Sequence, residues 1–183
     1  MSDATQSISP SFEITDAEVV EATLRPHILI CIHGIRSNAS WVSNINAEGG
    51  MASIPVILVP VSYKPLDIFH ILFNPDITDI IEDVANQIEK VVLYYPDSKI
   101  SILAHSYGTK IVAGAFKRVG KHVEFLFTAG SILNYDDSDR IISELHNGNA
   151  LFINEMGRRD LWPIIATAIR PSKFMATGTN GFY

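Results

Sequence analysis

Apolar positions in this chain fall into short blocks of two alternating kinds. His27 to Ile32 (HILICI) is a compact, β-rich run that stops abruptly at His33 and Gly34, and Pro55 to Tyr63 is a second such run, in which Pro60 is expected to mark a bulge or an irregular end. From Asp76 to Leu93 the pattern changes. Ile77, Ile80, Ile81, Val84, Ile88, Val91 and Val92 recur at three- and four-residue steps, the spacing of one helical face. Pro96 and Asp97 then form a turn, Lys99 to Ala104 reads as a strand, and Tyr107 to Val119 reads as a helix that ends at Gly120. A strand over Val123 to Ala129, a short helix near Asp139 to Leu145 and a strand over Ala150 to Asn154 follow. Leu161 to Ile169 closes the pattern as a helix with Pro163 in its first turn.

Strands alternating with helices predict an α/β fold, a mostly parallel sheet with helices on both faces, because parallel neighbours need long crossover connections. A chain of 183 residues fits one domain, expected here over residues 27–183, after a polar lead-in over residues 1–26 with room for one short strand near Phe12 to Thr15. With 47% apolar and 19% charged residues, the chain can bury a sizeable interior and does not read as disordered. The net charge of −6 arises without any basic cluster, which argues against nucleic acid or an anionic membrane as the main partner. Cys31 is the single cysteine, so no internal disulfide forms and a cytoplasmic location is the expectation. Met1 to Pro10 lacks the apolar stretch of a secretory signal, and no apolar run approaches the ~20 residues of a membrane span. Histidines and Cys31 are scattered and no glycine-rich phosphate loop is present, so neither a metal nor another cofactor is expected.

Candidate chemistry concentrates in Lys99-Ile-Ser-Ile-Leu-Ala104-His105-Ser106-Tyr107-Gly108-Thr-Lys-Ile111, where an apolar strand runs through a serine directly into a helix. That is a nucleophile elbow with one substitution. The serine of such a turn is held in a strained backbone, and the positions two residues to either side must be small so that strand and helix can approach. Gly108 meets that need and Ala104 nearly does. The Ser106 hydroxyl would then stand at a helix amino terminus, where the helix dipole and the N–H of Tyr107 can stabilise an oxyanion. The same five residues also fit an ordinary strand-to-helix turn that holds a serine by chance.

A second element, Ile28-Leu-Ile-Cys-Ile-His33-Gly34-Ile35-Arg36-Ser37-Asn38, completes the pattern. From about His27 to the end, the chain resembles the α/β-hydrolase superfamily, particularly the lipase- and esterase-like members that pair an HG turn with an AHSxG elbow. The resemblance implies that Ile35 donates a second backbone N–H to the oxyanion, that Gly34 lets that backbone come close, and that His33 is scaffold rather than catalyst. It also implies the chain order serine, then acid, then histidine.

Asp160, after the strand that ends at Asn154, fits best as the acid; the alternative is an N-cap of the Leu161 helix, a role aspartate fills readily. Asp136, Asp137 and Asp139 follow the previous strand and are a runner-up acid site, though such a run is more often a solvated loop. No histidine follows Asp160: His27, His33, His70, His105, His122 and His146 all precede it. His105 should point away from the Ser106 hydroxyl, and His146 falls in a polar turn expected at the opposite end of the sheet. The expectation is therefore a hydrolase domain lacking its carboxyl-terminal end. Loss of the triad histidine costs on the order of 10⁶ in turnover, so the chain as it stands should be nearly inactive. Trp41, Trp162 and the stretch Leu66 to Phe73 serve packing or line an acyl pocket, and Arg158 with Arg159 is a solvated pair. Together these features predict a serine esterase or lipase-like enzyme, acting on a small-molecule or lipid ester through an acyl-serine. The alternative is an inactive binding or scaffold protein on the same fold.

Overall fold

The apolar runs become five strands of one sheet. The computed structural model describes residues 25–34, 42, 45, 55–64, 76–148, 150–155 and 157. In chain order these residues form β1 (His27–Ile32), β2 (Val56–Val61), α1 (Thr78–Tyr94), β3 (Ile100–His105), α2 (Tyr107–Val119), a 3₁₀ turn (Gly120–His122), β4 (Phe125–Ala129), α3 (Tyr135–Gly148) and β5 (Leu151–Glu155). All strand pairs are parallel and the spatial order is β2-β1-β3-β4-β5. Parallel strands buried on both faces lose the in–out alternation of half-exposed ones. β1 shows this: Ile28, Ile30, Cys31 and Ile32 are all fully buried. On β5, at the other end of the described sheet, Leu151 and Ile153 are exposed.

The connections out of β2, β3 and β4 all advance in one direction across the sheet and carry α1, α2 and α3. Right-handed crossovers therefore put the three helices in one layer, with α1 packed on α2 and α2 on α3. Between β1 and β2, Val42 and Ile45 are helical. The middle helix, α2, is the most deeply set. Ile111, Val112, Ala115, Phe116 and Val119 line its buried side, and Val84, Ala85 and Ile88 of α1 join them in the core. Fully burying each large aliphatic side chain stabilises the fold by about 2 kcal/mol, so the core is strongest under β1, β3 and α2, which are the elements that meet at Ser106.

Four local expectations change. Register runs through Pro60 without a bulge, as Cys31 pairs with Pro60 and Ile32 with Val61; β2 ends the described strand order, where a residue without an N–H is tolerated. The helix expected near Asp139 begins earlier, at Tyr135. Its start is a reciprocal cap in which Asp137 N–H donates to Asn134 Oδ1 at 2.9 Å and Asn134 N–H donates to Asp137 Oδ2 at 3.1 Å. The acidic run is thus no solvated loop: Asp136, Asp137 and Asp139 lie in a helix, and Asp137 is buried. The polar stretch expected as a turn around His146 is likewise the end of α3, just before the amino end of β5. Among the described residues no helix is long and apolar enough to cross a membrane. The expected strand at Phe12 to Thr15, the helix Leu161 to Ile169, Trp41, Trp162 and the Leu66 to Phe73 stretch lie outside the described residues.

Candidate active site

Ser106 joins β3 to α2 with φ 54° and ψ −123°, the sole non-glycine residue at positive φ among those described. L-residues avoid this region because Cβ crowds the backbone, at a cost on the order of 1–3 kcal/mol, so surrounding contacts must impose it. The contacts are on both sides of the residue. Ser106 N–H donates to the Ala129 carbonyl at the end of β4 at 2.9 Å, and the Ser106 carbonyl accepts Thr109 N–H at 3.0 Å and Thr109 Oγ1–H at 2.7 Å. The Ser106 side chain makes no capping hydrogen bond to its own helix.

The corner is tight because two glycines allow it. A methyl group on Gly108 would lie 2.6 Å from the His33 carbonyl oxygen and 2.7 Å from that of Ile32, so the carboxyl end of β1 sits where a side chain would be. A methyl group on Gly34 would lie 2.7 Å from Ser106 Cβ and 3.1 Å from Ser106 Oγ. Ala104, two residues before the serine, is fully buried. Strand order explains why these segments converge. β2 lies on one side of β1 and the β3-to-β4 crossover leads away on the other, so the adjacent strands β1 and β3 form a topological switch point. Open α/β sheets bind ligands at such a switch point. Gly34 and Ser106 meet there, just past the carboxyl ends of β1 and β3.

Two buried tyrosines and His33 pack at this corner. Tyr63 donates its hydroxyl to the His33 carbonyl and stacks on the His33 ring, with centroids 4.5 Å apart and planes at 14°. His33 Nδ1 lies 2.8 Å from the Gly34 carbonyl oxygen, so the imidazole braces its own turn. Burial first, and the neighbouring Tyr107 second, push the Tyr63 phenol well above its ordinary value. Tyr107 is also buried, and burial with the nearby Asp137 charge pushes its phenol up to about 12. Both rings therefore stay neutral at physiological pH. Asp137 is spoken for by Lys110 of α2, by the Asn134 N–H and, at 3.9 Å, by Arg140.

Of the residues expected to carry chemistry, Ser106 and Tyr107 lie at the corner, with Tyr107 as the first residue of α2. Ile35 and Asp160 lie outside the described residues. His33 braces the turn as its scaffold role implies. His27 is at the other end of the sheet, 2.7 Å from Ser101 Oγ. No group of three or more His, Cys, Asp or Glu side chains among the described residues is placed to hold a metal ion. Tyr63, the Ala129 carbonyl and Thr109 also shape the site, although none was expected there. Only Thr109 carried a local signal, a threonine three residues after the serine, from where a hydroxyl can bond back to a carbonyl in the preceding turn.

No family model and no curated protein sequence matches the chain. Among solved structures, it is similar to an uncharacterized protein from Bacillus cereus ATCC 10987, at 9% identity and a TM-score of 0.40, over 92% of this chain and 65% of that one. It is also similar to the phospholipase PlaB from Legionella pneumophila, at 16% identity and a TM-score of 0.31, over 66% of this chain and 29% of that one. The chain thus spans less than two thirds of the length of either structure.

Proposed function

We propose that the protein is a serine hydrolase of the α/β-hydrolase type that cleaves an ester, of a lipid or another acyl compound, through an acyl-serine intermediate. The observation that carries this is the backbone of Ser106: a strained φ of 54° at a strand-to-helix corner, with the side chain against Gly34 at the switch point between β1 and β3. Strain of this kind persists where function requires it, because an ordinary turn would relax.

Ser106 Oγ attacks the ester carbonyl carbon while a base takes its proton. The developing oxyanion is met by the main-chain N–H groups of Tyr107 and Ile35, aided by the positive end of the α2 dipole. Collapse expels the alcohol and leaves acyl-Ser106, which water then hydrolyses by the reverse proton movements. Asp160 orients the base, a histidine. His33 is a poor candidate for that task, since its Nδ1 is engaged by the Gly34 carbonyl and its ring by Tyr63. A fluorophosphonate probe tests the proposal. The complete natural protein should be labelled at Ser106, and neither Ser106→Ala nor Asp160→Asn should label at a comparable rate; an unlabelled wild-type protein would refute it.

A further inference from the structure

We infer that Thr109 is a positioning residue whose buried hydroxyl holds Ser106 in its exposed-nucleophile conformation, an inference that rests on reading Ser106 as the nucleophile. A serine preceding a helix ordinarily turns its own Oγ onto the N–H of the second or third helical residue and caps the helix. At this corner those residues are Gly108 and Thr109, yet Ser106 Oγ makes no capping bond. Thr109 removes the incentive. Its N–H is satisfied by the Ser106 carbonyl at 3.0 Å, and its Oγ1–H donates to the same carbonyl at 2.7 Å, so that oxygen is held by two donors from one residue.

The hydroxyl also reaches a third element. Thr109 is fully buried, and its Oγ1 lies 3.4 Å from the Ile132 N–H, in the segment between β4 and α3. A hydroxyl supplies one donor and accepts through its lone pairs, so Thr109 can serve both neighbours at once. The Ser106 N–H is tied to Ala129, three residues before Ile132. Both backbone groups of the strained serine are therefore referred to the same stretch of chain, one directly and one through the threonine. Without the Thr109 hydroxyl the Ser106 carbonyl keeps one donor, and rotation of the corner into an ordinary cap becomes available. That rotation would turn Oγ into the helix end and away from Gly34.

The test compares Thr109→Val, which keeps the shape and deletes the hydroxyl, with Thr109→Ser, which keeps the hydroxyl; Thr109→Ala is a second hydroxyl-free variant in case valine disturbs folding. In saturation kinetics with a fluorophosphonate on the complete protein, Thr109→Val should lower kinact by roughly tenfold to a hundredfold, the range expected when a reacting atom is misplaced by a fraction of an ångström to one ångström. KI should not change, and Thr109→Ser should restore the wild-type rate. The ¹³C shifts of the Ser106 carbonyl and Cα should move in the valine and alanine variants and stay in the serine variant. Equal kinact in all variants, or equal losses in valine and serine, would overturn the inference. If the wild-type protein is not labelled, the hydrolase proposal fails, and the carbon shifts still decide the positioning role: unchanged shifts in the hydroxyl-free variants reject it, shifts restored by serine uphold it.

Discussion

Ser106→Gly should make the protein more stable, and Ser106→Ala should not. At φ 54° and ψ −123° the serine occupies a region that costs a non-glycine residue about 1–3 kcal/mol. Glycine adopts it freely, and its missing Cβ also eases the close approach of Gly34. Against this gain stands the greater freedom of glycine in the unfolded chain, about 0.4–1 kcal/mol. The net expectation is roughly 1 kcal/mol of added stability, which for a chain of this size raises Tm by about 2–4 °C. Alanine keeps Cβ and hence the strain, and it removes a hydroxyl that makes no capping bond, so its Tm should stay near that of wild type. Paired thermal melts and urea titrations followed by circular dichroism read both numbers, while fluorophosphonate labelling should vanish in both variants. A destabilised Ser106→Gly, or equal stabilisation by alanine and glycine, would show that the corner stores no strain and would remove the main support for a functional role.

Gly108→Ala should be severely destabilising, since its methyl group would meet the main-chain carbonyls of Ile32 and His33 inside 3 Å and neither can yield without moving β1; loss of soluble expression or a large fall in urea midpoint checks it. Lys110→Met should cost about 1–3 kcal/mol, because it takes the cation from the buried Asp137 carboxylate, whose other partners among the described residues are the Asn134 N–H and, at 3.9 Å, Arg140. A double-mutant cycle with Asp137→Asn should recover part of that loss. His27 is half-buried and its pKa is lowered, first by burial, against an opposing pull from Glu124. Its contribution to stability is therefore complete above the unfolded value of 6.5 and is lost as pH falls from there through the folded pKa, so the urea midpoint should drop over that window and the drop should flatten in His27→Gln.

Much of this architecture is legible from local pattern. The apolar run His27 to Ile32 is β1 to the residue, and the small residues around Ser106 anticipate a corner with α2 running from Tyr107 to Val119. Such features are local because backbone sterics and hydrophobic period act over a few residues. The start of α3 was less legible, since its cap depends on a reciprocal bond between Asn134 and Asp137 that competes with a loop conformation equally open to an acidic stretch.

The amino-acid sequence by itself determined the elements, their alternation and the serine at a strand-to-helix junction, all set by residues within one or two turns of each other. Tertiary structure alone decided the strand order β2-β1-β3-β4-β5, and with it the meeting of Gly34 and Ser106 and the pairing of Lys110 with Asp137. The physical reason is that buried parallel strands are apolar on both faces and so carry no mark of their neighbours. Which strand lies beside which is settled by the combined burial of the whole sheet and its helices, and the switch point at the serine is a product of that order.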